Sequence, residues 1–228
     1  MTWLTTATPM AIPTNHGVLP GYALAAGARL YRIFRHQPDG DWEPPPAHLR
    51  KGRVDPPASD QGAFGVLYTA DSIVTAGFEA EIIRPIKDAG GVNAIELVPE
   101  LVDPATGRPI KQPPMEAAHS TTQPLVFVDI ESTELAAVTS IHIGSPVPRI
   151  ANWRRLSHWV HEELIAKNDG NGLLPLVGVS WISTVKDCTG RNFAIYTERR
   201  DGFIARAAPP ADRKSLDVKE LQRLWASA

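Results

Sequence analysis

The sequence predicts an α+β protein. Strand-like runs (Leu30–Phe34, Pro124–Ile130, Leu176–Ile182) and helix-like runs (Asp71–Arg84, Trp153–Asn168) mix along the chain without strict βαβ alternation. At 228 residues, 43% hydrophobic and 21% charged, the chain is long enough for one large domain or two small ones. A chain of that size buries roughly 70% of its unfolded surface, so neither a disulfide nor a metal is needed for folding.

Taken in order, residues 1–27 are rich in Pro, Thr, Ala and Gly and read as an extended N-terminal arm. Leu30–Phe34 (LYRIF) is the first strand. Residues 37–63 hold six prolines and read as an irregular loop, functional or disordered by its length. Phe64–Ala70 is a strand, and Asp71 or Ser72 caps a helix that runs to about Arg84, ahead of Pro85. Val92–Val98 alternates like a strand, 99–123 is a second Pro/Gly-rich insertion, and Pro124–Ile130 is a buried-type strand followed by a short helix over Glu131–Val138. Asn152 caps a helix whose apolar positions Trp153, Leu156, Trp159, Val160, Leu164 and Ile165 keep the helical period. Leu176–Ile182 and Asn192–Thr197 are late strands around a turn at Asp187–Gly190, and Ser215–Ala226 is a terminal amphipathic helix. The organisation expected is an arm (1–27), a domain (28–205) and a C-terminal linker with a helix packed on that domain (206–228).

Composition narrows the function. A net charge of −2 argues against a dedicated nucleic-acid surface. The single cysteine, Cys188, rules out an internal disulfide and suits a reducing cytoplasm. The N-terminus lacks the basic-then-apolar order of a secretory signal, and no apolar run reaches the ~20 residues of a membrane helix. No glycine-rich phosphate loop is present. His158, His161 and Glu162 lack both the HExxH order and a third ligand, so they read as helix-surface histidines and no metal is expected. GVSWI lacks the second glycine of a GxSxG elbow, and Cys188 has no evident histidine partner.

Five residues invite a chemical reading. Glu79 sits on a helix that is apolar almost all round, where an ionised carboxylate needs a partner. Arg84, Lys87 or Arg32 would serve as a plain salt bridge. Arg32, inside an apolar strand, needs an anion: a carboxylate of the protein, or a ligand's phosphate or carboxylate gripped by the guanidinium fork. Arg53 lies in the proline-rich loop, Tyr68 at a strand end eleven residues before Glu79, and Ser183 at the end of a late strand. An Arg/Arg/Tyr/Glu/Ser set suits chemistry on a phosphate-bearing sugar.

The order LYRI (Leu30–Ile33), GR (Gly52–Arg53), LYTADSIVTAGFE (Leu67–Glu79) and VSWISTVKDCTGRNFAIY (Val179–Tyr196) resembles the RES domain, the toxin of RES/Xre toxin–antitoxin pairs. The resemblance covers roughly 28–200. It implies an ADP-ribosyltransferase-like fold of the diphtheria-toxin type, a mixed core of two small β-sheets with flanking helices. It implies NAD as substrate, a cytoplasmic enzyme that cleaves the nicotinamide–ribose bond, and an Xre-type antitoxin as partner, with no membrane or direct nucleic-acid binding. Glu79, Arg32 and Ser183 (with Ser180 as the alternative serine) would be catalytic, and Arg32, Arg53, Tyr31, Tyr68 and Ser183 would bind NAD, Tyr68 by stacking on nicotinamide. Transfer of ADP-ribose to a protein, or a non-catalytic protein-binding module, are the competing expectations.

Overall fold

The computed structural model describes residues 5–34, 39–87, 93–98, 114–143, 149–167, 175–184, 188–208 and 212–226. Its strands are β1 (Thr8–Thr14), β2 (Gly17–Leu24), β3 (Arg29–Phe34), β4 (Val66–Ala70), β5 (Ile83–Lys87) and β6 (Asn93–Leu97). They continue with β7 (Met115–Thr121), β8 (Leu125–Asp129), β9 (Leu176–Ile182), β10 (Arg191–Tyr196), β11 (Ile204–Ala205) and β12 (Arg213–Ser215). The helices are α1 (Ile73–Glu79), α2 (Thr133–Thr139), α3 (Arg149–Val160), α4 (Thr197–Phe203) and α5 (Val218–Ala226). The class is α+β. Instead of two small sheets, however, the described residues form one ten-stranded sheet, β1-β2-β8-β9-β10-β4-β3-β7-β11 with β12 also on β7, and a separate β5–β6 hairpin.

Residues 8–24, expected as an extended arm, are the hairpin β1–β2, paired from Thr8↔Ala23 to Thr14↔Gly17. Prolines explain why this was hidden. Pro9 and Pro13 lie on an edge strand, and Pro20 lies just before the β2–β8 ladder that begins at Gly21, so none removes an amide that the sheet needs. β7 falls inside the expected 99–123 insertion and pairs with β3 along six positions; residues 99–113 lie outside the described set, as does Asp187 of the expected turn.

β10 is the central strand and is buried along its whole length. Gly178 of β9 lets it approach: a Cβ there would overlap the Ala194 carbonyl. α3 covers one face with Trp153, Leu156 and Val160, packed against Trp181, Ala194 and Tyr196. Its described helical residues already include Arg149, ahead of the expected Asn152 cap, whose amide instead donates to His142 O at 2.8 Å. α3 continues through a π-helical turn, His161–Ala166, where His161 is buried against Phe64 and bonded to Glu198 at 2.6 Å, not a surface residue. The opposite face packs Leu30, Leu67, Phe127, Phe193 and Ile195. A third cluster joins α1, β5–β6 and α5, in which Leu221 and Leu224 are buried at about 1.5–3 kcal/mol each. Among the described residues no helix is long and apolar enough to cross a membrane.

The ladder is not uniform. β3 meets β7 over six positions, but it meets β4 at one, Tyr31↔Ala70. Beyond that rung the two strands part.

His119, wholly buried on β7, is held neutral by its partners: one ring nitrogen lies 3.0 Å from Asp41 O, and the other accepts from Ala207 N–H at 3.0 Å. Burial pushes its pKa from 6.5 down to about 4. A depressed histidine favours the fold fully above 6.5, and that contribution is lost as pH falls towards 4, because the unfolded chain takes up the proton first. Over that window His119 accounts for a loss of about 3 kcal/mol. Urea midpoints at pH 7 and pH 4.5 should show this fall in the wild type and a smaller one in His119→Gln. Equal falls would remove His119 as the cause.

Candidate functional site

The site is assembled where β3 and β4 separate. A cavity of about 320 Å³ opens there, lined by Tyr31, Arg32 and Ile33 of β3, Tyr68 and Thr69 of β4, Glu79 at the end of α1, the loop Lys51–Arg53, and Asn192 of β10. Its size falls within the usual range for small-molecule sites.

α1 is fixed at both ends. Ser72 caps it, accepting from Thr75 N–H at 3.0 Å, and Asp71 staples it to β10 by accepting from Arg191 N–H at 2.6 Å. The helix stops at Glu79 rather than Arg84. Glu81 adopts φ 55°, Glu81 N–H bonds Phe78 O and Ile82 N–H bonds Gly77 O, a Schellman ending made without glycine. Ile83–Lys87, expected partly as helix, then pairs as β5.

This ending places Glu79 on the cavity wall. Its Oε2 accepts from Asn192 Nδ2 at 3.2 Å and its Oε1 lies 4.0 Å from Arg53 Nη2. The ion-pair partner is therefore Arg53. It is neither Arg32 nor Lys87, and Arg84 pairs with Glu96 instead. Burial raises the Glu79 pKa; Arg53 and the Trp181 indole oppose this, and Glu81 adds to it. The Trp181 N–H is buried beside the carboxylate without completing a hydrogen bond. Asn192 has no accessible surface, and its Oδ1 is without a hydrogen-bond partner.

Arg32 bridges the gap between the parted strands. Nη1 donates to Tyr68 O at 3.0 Å and Nε to Gly40 O at 3.1 Å, so a side chain takes over where the ladder stops. Burial lowers its pKa to about 10, with Asp41, Tyr68 and Asp55 partly restoring it. It remains a cation at neutral pH, and no described carboxylate lies within ion-pair distance of it.

Arg53 extends along the Trp153 ring, 5.2 Å from its centroid, and donates to Thr184 Oγ1 at 3.2 Å. Tyr68 differs from its expected part. Its hydroxyl accepts from Val54 N–H at 3.1 Å and lies beside Asp55, and the ring packs edge-on to Trp181 at 6.2 Å. The hydroxyl anchors the Arg53 loop, although the ring still lines the cavity. Burial and Asp55 raise its pKa well above the usual value.

Of the six residues singled out in sequence, Glu79, Arg32, Arg53, Tyr68 and Tyr31 line one cavity. Ser183 does not. It is buried behind the wall, its N–H on Gly190 O at 2.8 Å, and it is the neighbouring Thr184 that touches Arg53. Ser180 is fully buried and accepts from Arg191 Nη1 at 3.4 Å. Sequence reasoning missed Asn192, Lys51 and Glu81, all on the wall. Asn192 had a readable signal: it is a polar amide in a strand that is otherwise apolar from Phe193 to Tyr196.

Comparison of the chain with protein-family models, with curated proteins and with solved structures returns no match.

Proposed function

We propose that this cavity binds NAD and cleaves its nicotinamide–ribose bond. The observation that supports this reading best is the pairing of a partly buried carboxylate, Glu79, with Arg53 at 4.0 Å on a wall that also carries Arg32, a cation with no described carboxylate in contact. The resemblance to RES domains over residues 28–200 supports the same ligand.

Bond cleavage here passes through an oxocarbenium-like ribose. Glu79 can hydrogen-bond the ribose hydroxyls and stabilise the developing positive charge. Arg53 sits in a loose ion pair that a pyrophosphate oxygen can replace, and Arg32 offers a second guanidinium. Asn192, which holds Glu79 Oε2, fixes the carboxylate's direction. Nicotinamide leaves as a neutral base from a cationic glycoside, so no general acid is required. The electrons of the breaking bond neutralise the pyridinium, and water or another nucleophile takes the ribosyl carbon. Depletion of NAD is toxic to a host cell, so an antitoxin that covers this cavity belongs to the same proposal.

Glu81 lines the cavity two residues beyond Glu79 and is exposed. This second carboxylate favours, as the alternative, transfer of ADP-ribose to a protein acceptor. Free ADP-ribose or its phosphate indicates the first reaction, and labelled protein the second.

The test is release of nicotinamide from NAD by the purified chain, with and without phosphate and candidate protein acceptors. Arg53→Ala should raise KM for NAD by about 10- to 100-fold, the worth of a charge-assisted contact. Absence of nicotinamide under every condition would leave a binding module as the better description.

A further inference from the structure

We infer that Asp55 is a positioning residue, whose buried carboxylate sets Arg53 for the pyrophosphate of the ligand; the inference rests on the NAD reading and adds a residue that the reading does not contain. Arg53 lies in a loop with no regular structure, followed by Pro56 and Pro57, yet every backbone polar group flanking it is held. Gly52 N–H donates to Asp55 Oδ2 at 2.6 Å and Gly52 O accepts from Arg154 Nε at 3.0 Å. Val54 N–H donates to the Tyr68 hydroxyl at 3.1 Å, and Val54 O accepts from Ser157 Oγ at 2.8 Å.

Asp55 makes one of these four contacts and adjoins a second. Its carboxylate receives the Gly52 amide directly, and it lies beside the Tyr68 hydroxyl that receives the Val54 amide. Only 3% of Asp55 is accessible, so no water replaces it. Burial raises its pKa, and the Gly52 amide, Arg154 and Arg50 oppose that rise. The path is tight: a Cβ on Gly52 would overlap the Tyr68 hydroxyl and sit 3.0 Å from Asp55 Oδ2. Arg53 is thus aimed before any ligand arrives, which spares the ordering cost that a free loop arginine would incur on binding.

The experiment is calorimetric binding of NAD and of inorganic pyrophosphate to wild type, Asp55→Ala, Asp55→Asn, Arg53→Ala and the Asp55→Ala/Arg53→Ala double variant. Thermal unfolding of each, and KM and kcat for nicotinamide release, complete the set. Asp55→Ala should weaken both ligands by about 10- to 100-fold and raise KM more than it lowers kcat. Asp55→Asn, whose amide oxygen still accepts from Gly52 N–H, should recover most of the affinity. In the Arg53→Ala background Asp55→Ala should cost little more, because both act through one contact. Wild-type affinity in a folded Asp55→Ala, or a full additional loss in the double variant, overturns the inference and leaves the NAD reading standing. If Asp55→Ala does not fold, Asp55→Ser, whose shorter side chain falls short of Gly52 N–H, takes its place with the same expected loss. A wild type that binds neither NAD nor pyrophosphate overturns both readings at once.

Discussion

Replacing Glu79 by glutamine should lower nicotinamide release by about 10²–10³-fold, the worth of one preorganised electrostatic contact to a transition state. Glutamine keeps the shape, and its amide oxygen can still accept from Asn192 Nδ2, but it cannot balance positive charge on the ribose. The fold should survive. The partner left behind, Arg53, has 29% of its side chain accessible and so can be resolvated. Binding of NAD should weaken little, or even tighten, because Arg53 is released from its pair. The check is kcat for nicotinamide release, with NAD affinity measured separately on the same preparation. Unchanged kcat in Glu79→Gln would show that this carboxylate is not the stabilising group.

Arg32→Met should have the second largest effect, and on two readouts together. Activity should fall by about 10²-fold through loss of a charge-assisted fork. Stability should fall as well, by up to about 1–3 kcal/mol for each carbonyl left unpaired, less where water from the cavity reaches it. The carbonyls concerned are Tyr68 O and Gly40 O. Arg32→Lys separates the two effects. An ammonium can satisfy one carbonyl and carry the charge, but it cannot span Gly40 O, Tyr68 O and a phosphate at once. Kinetics alongside urea unfolding would check this. If both variants bind NAD normally, Arg32 serves only the sheet.

Much of the scaffold was legible because burial writes itself into apolar runs. Leu30–Phe34 and Leu176–Ile182 are strands where the sequence placed them, and the strand expected over Phe64–Ala70 is present over Val66–Ala70. What could not be read depended on distant partners. Pro9, Pro13 and Pro20 argue locally against a strand, and only the edge position and the start of the β8 ladder make them harmless. β7 (MEAAHST) has little β-propensity of its own and is held by β3 on one side and by β11 and β12 on the other. The end of α1 was misplaced because Glu81 takes the left-handed conformation where glycine would have signalled a stop.

The site divides along the same line. That Arg32, Arg53, Tyr68 and Glu79 belong together was legible from their order. Which arginine faces the carboxylate was not, because the course of the 39–63 loop is set by tertiary contacts: Arg154 and Ser157 of α3 grip the backbone around Arg53. The anchoring part of Tyr68 was hidden for the same reason, since the hydrogen-bond partner of its hydroxyl, Val54 N–H, belongs to that loop.

The single rung between β3 and β4 carries one more consequence. Continuing the ladder past Tyr31↔Ala70 would bring the Arg32–Ile33 and Tyr68–Thr69 backbones together and strengthen the sheet. It would also close the space that they line. Selection for stability alone would zip this seam shut, so changes that tighten it should give a hardier protein with no room for a guest.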